Sequence, residues 1–134
     1  MASVVTKTQL DNGLTVILKE MHHAPVITFM VWYRVGSRNE IPGRTGVSHW
    51  VEHMMFKGTP DFPGDQLDRM ISREGGHWNA FTWLDYTAYY ETMPADRIDI
   101  ALRLEADRMV HTEMPLDETE SERTVILQER AMYA

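Results

Sequence analysis

The tripeptide Asp11-Asn12-Gly13 separates two runs of alternating apolar and polar residues, "VVTKTQL" and "LTVILKE". Asn and Gly accept positive φ at little cost, so this is the signature of a tight β-hairpin turn. A chain that opens with a hairpin commits its first two strands to antiparallel pairing. The next segment, Val26 to Val35 ("VITFMVWYRV"), is rich in β-branched and aromatic residues and reads as a well-buried strand. A polar loop with three glycines and a proline, "GSRNEIPGRTG", follows. From Val47 to Lys57 the apolar positions 47, 50, 51, 54 and 55 recur at helical spacing, and Gly58 is the expected stop. A second short helix is expected over 65–74, ended by Gly75-Gly76, then strands near 77–83 and 87–93. A long helix over 96–110 has apolar residues at 98, 101, 102, 104, 106 and 109; Pro115 leads into a last helix from about Asp117. Strands and helices are intermixed rather than alternating as βαβ units. The class is therefore α+β, a mainly antiparallel sheet with helices packed on it.

One domain is what 134 residues can fold, and 43% apolar content with four Trp, five Tyr and four Phe is that of a globular chain. There is no cysteine, so any metal must be held by His and carboxylate. The net charge of -7 argues against a nucleic-acid backbone or an anionic membrane as partner. The start, "MASVVTKTQLDNG", lacks the basic and apolar regions of a signal peptide, and no apolar run approaches the ~20 residues of a membrane span. The expected location is cytoplasmic.

Residues 49 to 53, "HWVEH", put two histidines and a glutamate into five positions of the first helix. Residues four apart share a helix face, so His49 and His53 can reach one ion. Glu52, at i+3 from His49, lies where a carboxylate can contact a metal-bound water. This is the inverted zincin order H-x-x-E-H, in which two imidazoles hold the metal and the carboxylate serves as base. A polar helix face carries such residues by chance too, so a third ligand decides. The last helix places Glu122 and Glu129 seven residues apart, within about 20° on one face. Val125, Ile126 and Met132 share that stripe, which would turn both acids toward an apolar interior where carboxylates need partners. Glu118 and Glu120 read as solvated.

Several stretches in order resemble the pitrilysin or insulinase-type zinc metallopeptidases, the family that includes mitochondrial processing peptidase and its bacterial relatives. They are "DNGLTVILKE", "VGSRNE", "GRTGVSHWVEHMMFKGT", "GGHWNAFTWLDYTAYYETMP" and "ERTVILQE". The family signature is H-x-x-E-H followed 74 to 77 residues later by a ligand Glu, with another Glu seven residues before it. His53 and Glu129 are 76 positions apart, and Glu122 supplies the other acid. The resemblance implies that His49, His53 and Glu129 bind Zn2+, that Glu52 is the general base, and that Glu122 is an auxiliary catalytic acid. It also implies that Asn79 and Ala80 lie on an edge strand that pairs with the peptide substrate. From the residues alone, Gly75-Gly76 needs only a turn, and an edge strand is one known way to hold an extended peptide.

Family domains run to roughly twice this length, and their enzymes set two homologous halves around a chamber. In many relatives the second half contributes an Arg and a Tyr that grip the substrate. The chain thus resembles the N-terminal portion, 1–134, of a peptidase domain of the mitochondrial-processing-peptidase-like fold. A second homologous half is expected in cis or as a homo- or heterodimer partner. The activity expected is zinc-dependent endopeptidase cleavage of peptides or extended segments, weak or absent in this portion alone. The rival is a non-catalytic homologue serving as a partner or structural subunit. A structural zinc site is a third option, though such sites usually have four protein ligands. His22, His23, His77 and His111 lack partners at ligand spacing, and Trp50, Met54 and Met55 read as core packing. No G-x-S-x-G, P-loop or G-x-G-x-x-G is present.

Overall fold

The computed structural model describes residues 4–133. Strands β1 (Val5–Gln9) and β2 (Thr15–Lys19) form the expected hairpin, with Gly13 at φ +87 and the Leu14 amide donating to Asn12 Oδ1 at 3.0 Å. This hairpin is a two-stranded sheet of its own. The second sheet has three antiparallel strands in the order β3–β5–β4: β3 (Val26–Tyr33), β4 (His77–Thr82) and β5 (Thr87–Pro94). Helices α1 (Val47–Met54), α2 (Gly64–Arg73) and α3 (Ile98–His111) pack on that sheet, and α4 (Leu116–Tyr133) packs chiefly against α1. Antiparallel pairing and α+β class are as the sequence implies. Among the described residues no helix is long and apolar enough to cross a membrane.

Strand alternation builds one covered face. Tyr89, Glu91 and Met93 of β5 point to the helices, and the register puts Trp78, Ala80 and Thr82 of β4 beside them. Met93 closes with Leu67 and Ile71 of α2 and Ala101 and Leu104 of α3 into a fully buried core. The opposite face holds Trp32, Phe81 and Tyr86 in edge-on and tilted contacts, with Trp32 half exposed. β3 is therefore covered on one face only. The sequence reading of a well-buried strand is corrected: every second residue of this apolar run faces outward.

Helix α1 ends at Met54, three residues before the expected boundary, and the chain turns through 55–57 into Gly58. Gly58 has φ +96, bridges Pro63, and accepts the Glu113 amide on its carbonyl. A Cβ there would lie 2.3 Å from the Gly64 amide nitrogen, so only glycine fits this junction.

Helix α3 departs most from its apolar pattern. Its buried face carries Glu105 and Arg108 beside Ala101 and Leu104, while Leu102 and Met109 face outward. The guanidinium of Arg108 decides this phase. It bonds Glu105 and lies over the rings of Tyr89, Trp78 and Phe56, 4.6 to 5.7 Å from their centroids. Glu91 Oε1 is 3.6 Å from Arg108 Nη2, too far for a hydrogen bond. One cation thus faces two buried carboxylates. Burial, reinforced by Glu105 and only partly offset by Arg108, pushes the Glu91 carboxyl up to about 9, and it carries a proton at neutral pH.

This raised value makes stability pH-dependent. The folded state holds a proton that the unfolded chain releases near 4.5, so the contribution is complete below 4.5 and lost as pH rises toward 9. The slope is at most ~1.4 kcal/mol per pH unit. Glu91→Gln keeps the neutral shape and should remove that slope. Thermal melts of parent and variant from pH 5 to 9 should diverge, with the parent falling relative to the variant; parallel curves would refute a protonated Glu91.

Candidate metal centre

Helix α1 presents three faces about 100° per residue apart. Ser48, Val51 and Met55 turn to the sheet, where with Tyr33 and Tyr89 they line an apolar recess of ≈ 210 Å³. His49 and His53 turn to α4. Glu52 falls between these faces and is only 8% exposed. Gly46 is the residue that precedes the helix, and the Glu40 carboxylate caps this end, accepting the Gly46 and Ser48 amides at 2.8 Å each. That loop glutamate satisfies donors the first turn leaves open and places negative charge at the helix N-terminus. Partial burial works against ionisation of Glu40, but the two amides outweigh it and hold the carboxyl below its ordinary value.

The two imidazoles meet edge-on, with His49 Nε2 and His53 Nε2 3.1 Å apart. Glu129 Oε2 lies 3.5 Å from each. Three donor atoms thus form a nearly equilateral triangle. Nitrogen ligands ~2.0–2.1 Å from a tetrahedral ion sit roughly 3.3 Å apart, so the donors fit the base of one coordination tetrahedron. The donor set of two imidazoles and one carboxylate suits zinc, and three protein ligands leave a fourth position open. His49, His53 and Glu129 are the group among the described residues able to hold an ion in this way.

Glu122 stands behind the triangle. Its Oε2 is 2.9 Å from His53 Nδ1, and its Oε1 is 2.5 Å from Lys57 Nζ. Partial burial opposes its ionisation, but Lys57 and His53 outweigh that and hold the carboxyl below the ordinary range. A carboxylate only accepts, so Nδ1 of His53 donates to Glu122, and Nε2 is the ring atom turned to the triangle. The apolar interior expected around Glu122 and Glu129 is corrected here. Val125 is 37% and Met132 74% exposed, and the acids are partnered by α1 histidines and Lys57 instead. Only Ile126, between them on the docked face, is partly buried.

Glu52 Oε2 accepts the Thr82 hydroxyl at 2.5 Å. Sequence reasoning passed over Thr82, although period-2 alternation puts it on the helix-facing side with Trp78 and Ala80. It also passed over Lys57 and Glu40; a helix pattern alone does not show what sits beyond its ends. Asn79 and Ala80 lie on β4, which pairs only with β5 among the described residues and packs against α1. The Trp83 amide bonds inward to Tyr86, so the alternate residues Ala80 and Thr82 turn their backbone groups to the free edge. The edge donor at Ala80 is not open, however. Its amide donates to Asn79 Oδ1 at 2.8 Å. His111 bonds Asp107, His22 bonds Glu20, and neither approaches the triangle's donor set.

The model of the family described as "Insulinase (Peptidase family M16)" matches residues 15–134. The chain is 32% identical over 130 residues to the "uncharacterized zinc protease YmxG" of Bacillus subtilis, covering 97% of this chain and 32% of that protein. It is 38% identical over 122 residues to subunit 1 of the mitochondrial cytochrome b-c1 complex of Bos taurus, covering 91% and 25%. A crystal structure of a protease from Helicobacter pylori superposes with a TM-score of 0.89 at 35% identity, covering 96% of this chain and 31% of that one. The chain therefore spans about a third or less of the length of these relatives.

The Glu40 cap gives a stability prediction for α1. Glu40→Ala should cost ~1 kcal/mol at neutral pH, the usual worth of a helix cap. Because the folded value is depressed, the contribution is present above the ordinary value of 4.5 and lost as pH falls below it. Chemical denaturation at pH 7 and pH 3 checks this; a penalty that persists undiminished at pH 3 would show that the carboxylate charge is not its source.

Proposed function

This chain belongs to the insulinase family of peptidases, and on that premise we propose that it forms the zinc centre of a metalloendopeptidase acting on extended polypeptide segments. The observation that carries the reading is the near-equilateral triangle of His49, His53 and Glu129, with Glu52 on the same helix. In this reading the three residues hold Zn2+. When bound, zinc supplies Lewis acidity, polarising the scissile carbonyl and lowering the pKa of its water to about 7. Glu52 accepts the nucleophilic water's proton and delivers it to the leaving amine. Thr82 aims the Glu52 carboxylate, and Glu122 fixes the ring of His53.

The substrate in this reading is an extended peptide that adds to the free edge of β4 near Asn79 and Ala80. Asn79 must then release the Ala80 amide, which becomes a backbone donor to the peptide. A second homologous half, in cis or as a partner subunit, completes the enclosure. Donors beyond the metal stabilise the developing oxyanion, and losing one costs ~10²–10³ in rate. Residues 1–134 alone should therefore bind zinc yet cleave peptides far more slowly than the longer protein.

The second reading, a non-catalytic partner or structural subunit, is favoured by the 38% identity to subunit 1 of the cytochrome b-c1 complex. The intact set of His49, Glu52, His53 and Glu129 favours the enzyme, because a structural subunit needs no open metal triangle with a carboxylate beside it.

Glu52→Gln separates the two. It should leave zinc affinity nearly unchanged and abolish turnover in the complete protein, whereas His53→Ala or Glu129→Ala should lose the metal. Zinc content and peptide cleavage, with and without chelator, are the measurements. A Glu52→Gln protein retaining most activity would require another base; a zinc-loaded parent without activity on any peptide would favour the structural subunit.

A further inference from the structure

Past the end of α1, Lys57 turns its ammonium to α4. Nζ lies 2.8 Å from Glu118 Oε2 and 2.5 Å from Glu122 Oε1. Glu118 and Glu122 are one helical turn apart, so one cation bridges both. Glu122 is held at its second oxygen by His53 Nδ1 at 2.9 Å. A single carboxylate is thereby fixed at both ends, by Lys57 on one side and by a ring of the donor triangle on the other.

We propose that Lys57 is a positioning residue for the metal centre, acting through Glu122 to set the ring of His53 and the seat of α4. The proposal rests on reading His49, His53 and Glu129 as a zinc site. Two physical consequences follow from the placement. Glu122 can rotate about its own side-chain bonds, and its bond to His53 holds the ring only while Glu122 itself is held. Glu129 lies two turns further along α4, about 10.5 Å up the helix axis, so a pin at Glu122 also governs how Glu129 meets the histidines. α4 has no fully buried residue among those described, so polar contacts fix its position more than packing does. A purely superficial ion pair adds little to stability and would leave metal binding alone. Partners that orient a metal-binding histidine typically matter 10–100-fold in affinity. The two roles are thus separable by measurement.

The test is zinc competition against a fluorescent chelator, with circular dichroism and melting of the metal-free proteins. Lys57→Met keeps the aliphatic stem and should weaken zinc binding about tenfold or more. Lys57→Arg, which can still bridge the two acids, should restore affinity to within a few-fold of the parent. Glu118→Gln should change it little, because the Lys57–Glu122 contact remains. In a Glu122→Gln background, Lys57→Met should cause no further loss, the non-additivity expected of residues acting in series. Lys57→Gln carries the same expectation as the methionine variant and replaces it should that variant not fold. A folded Lys57→Met protein with parental zinc affinity, or full additivity with Glu122→Gln, overturns the proposal alone. A parent that binds no zinc overturns the site reading and this proposal with it.

Discussion

The ring of His53 is the joint on which the site depends. One nitrogen is committed to Glu122 and the other points to His49 and Glu129, so a single imidazole connects α1, α4 and the donor triangle. Helix α4 gains little from burial and is held by a charged seam: His53, Lys57, Glu118 and Glu122. An ion pair beside partly buried groups is screened less than one in open water, which is why such a seam can carry positional information that exposed pairs cannot. The same seam makes α4 the element most sensitive to the loss of one charge.

Beneath the site, order comes from a different source. Arg108 pairs with Glu105 on its own helix, reaches β5 through the ring of Tyr89, and spreads its charge over three aromatic faces. A buried cation of this kind is costly unless its partners are fixed, and two carboxylates around it are one too many. The excess is resolved by protonation of Glu91 rather than by exposure. Tyr89, which stacks under Arg108, also borders the recess behind α1, so the floor beneath α1 is set by this cluster.

Much of this was legible in the sequence wherever a local rule acts alone. Asp11-Asn12-Gly13 specifies a turn through the positive φ of Gly13 and the bond from the Leu14 amide to the Asn12 side chain, and the hairpin follows. His49, Glu52 and His53 share one helix and need only its periodicity. Glu129 is different: the pattern placed it on a face with Glu122, and family resemblance, not spacing, paired that face with α1. What stayed hidden depends on tertiary partners. The phase of α3 is decided by three aromatic rings from distant segments, against an apolar pattern that pointed Leu102 and Met109 inward. Burial of β3 was overestimated because composition does not say how many faces of a sheet are covered. Lys57 gave no signal and Thr82 only its place on the helix-facing side of β4, since each matters through a residue on another element.

β4 draws the Glu52 contact and the sheet edge into one element. Its side chains alternate between faces while its backbone groups alternate between the β5 side and the free edge. The rung at Thr82 gives a hydroxyl to Glu52, and the rung at Ala80 turns its amide to the edge. Both are fixed by one register with β5, Ala80 opposite Tyr89 and Thr82 opposite Thr87. A slip of one residue would turn the Thr82 side chain to the other face and move the Ala80 amide off the edge together. The distance between the Glu52 carboxylate and the edge is therefore a property of strand pairing, not of loop conformation. Asn79 adds a restraint of its own: by taking the Ala80 amide it leaves the edge less able to pair with another strand indiscriminately, the hazard of every open sheet edge.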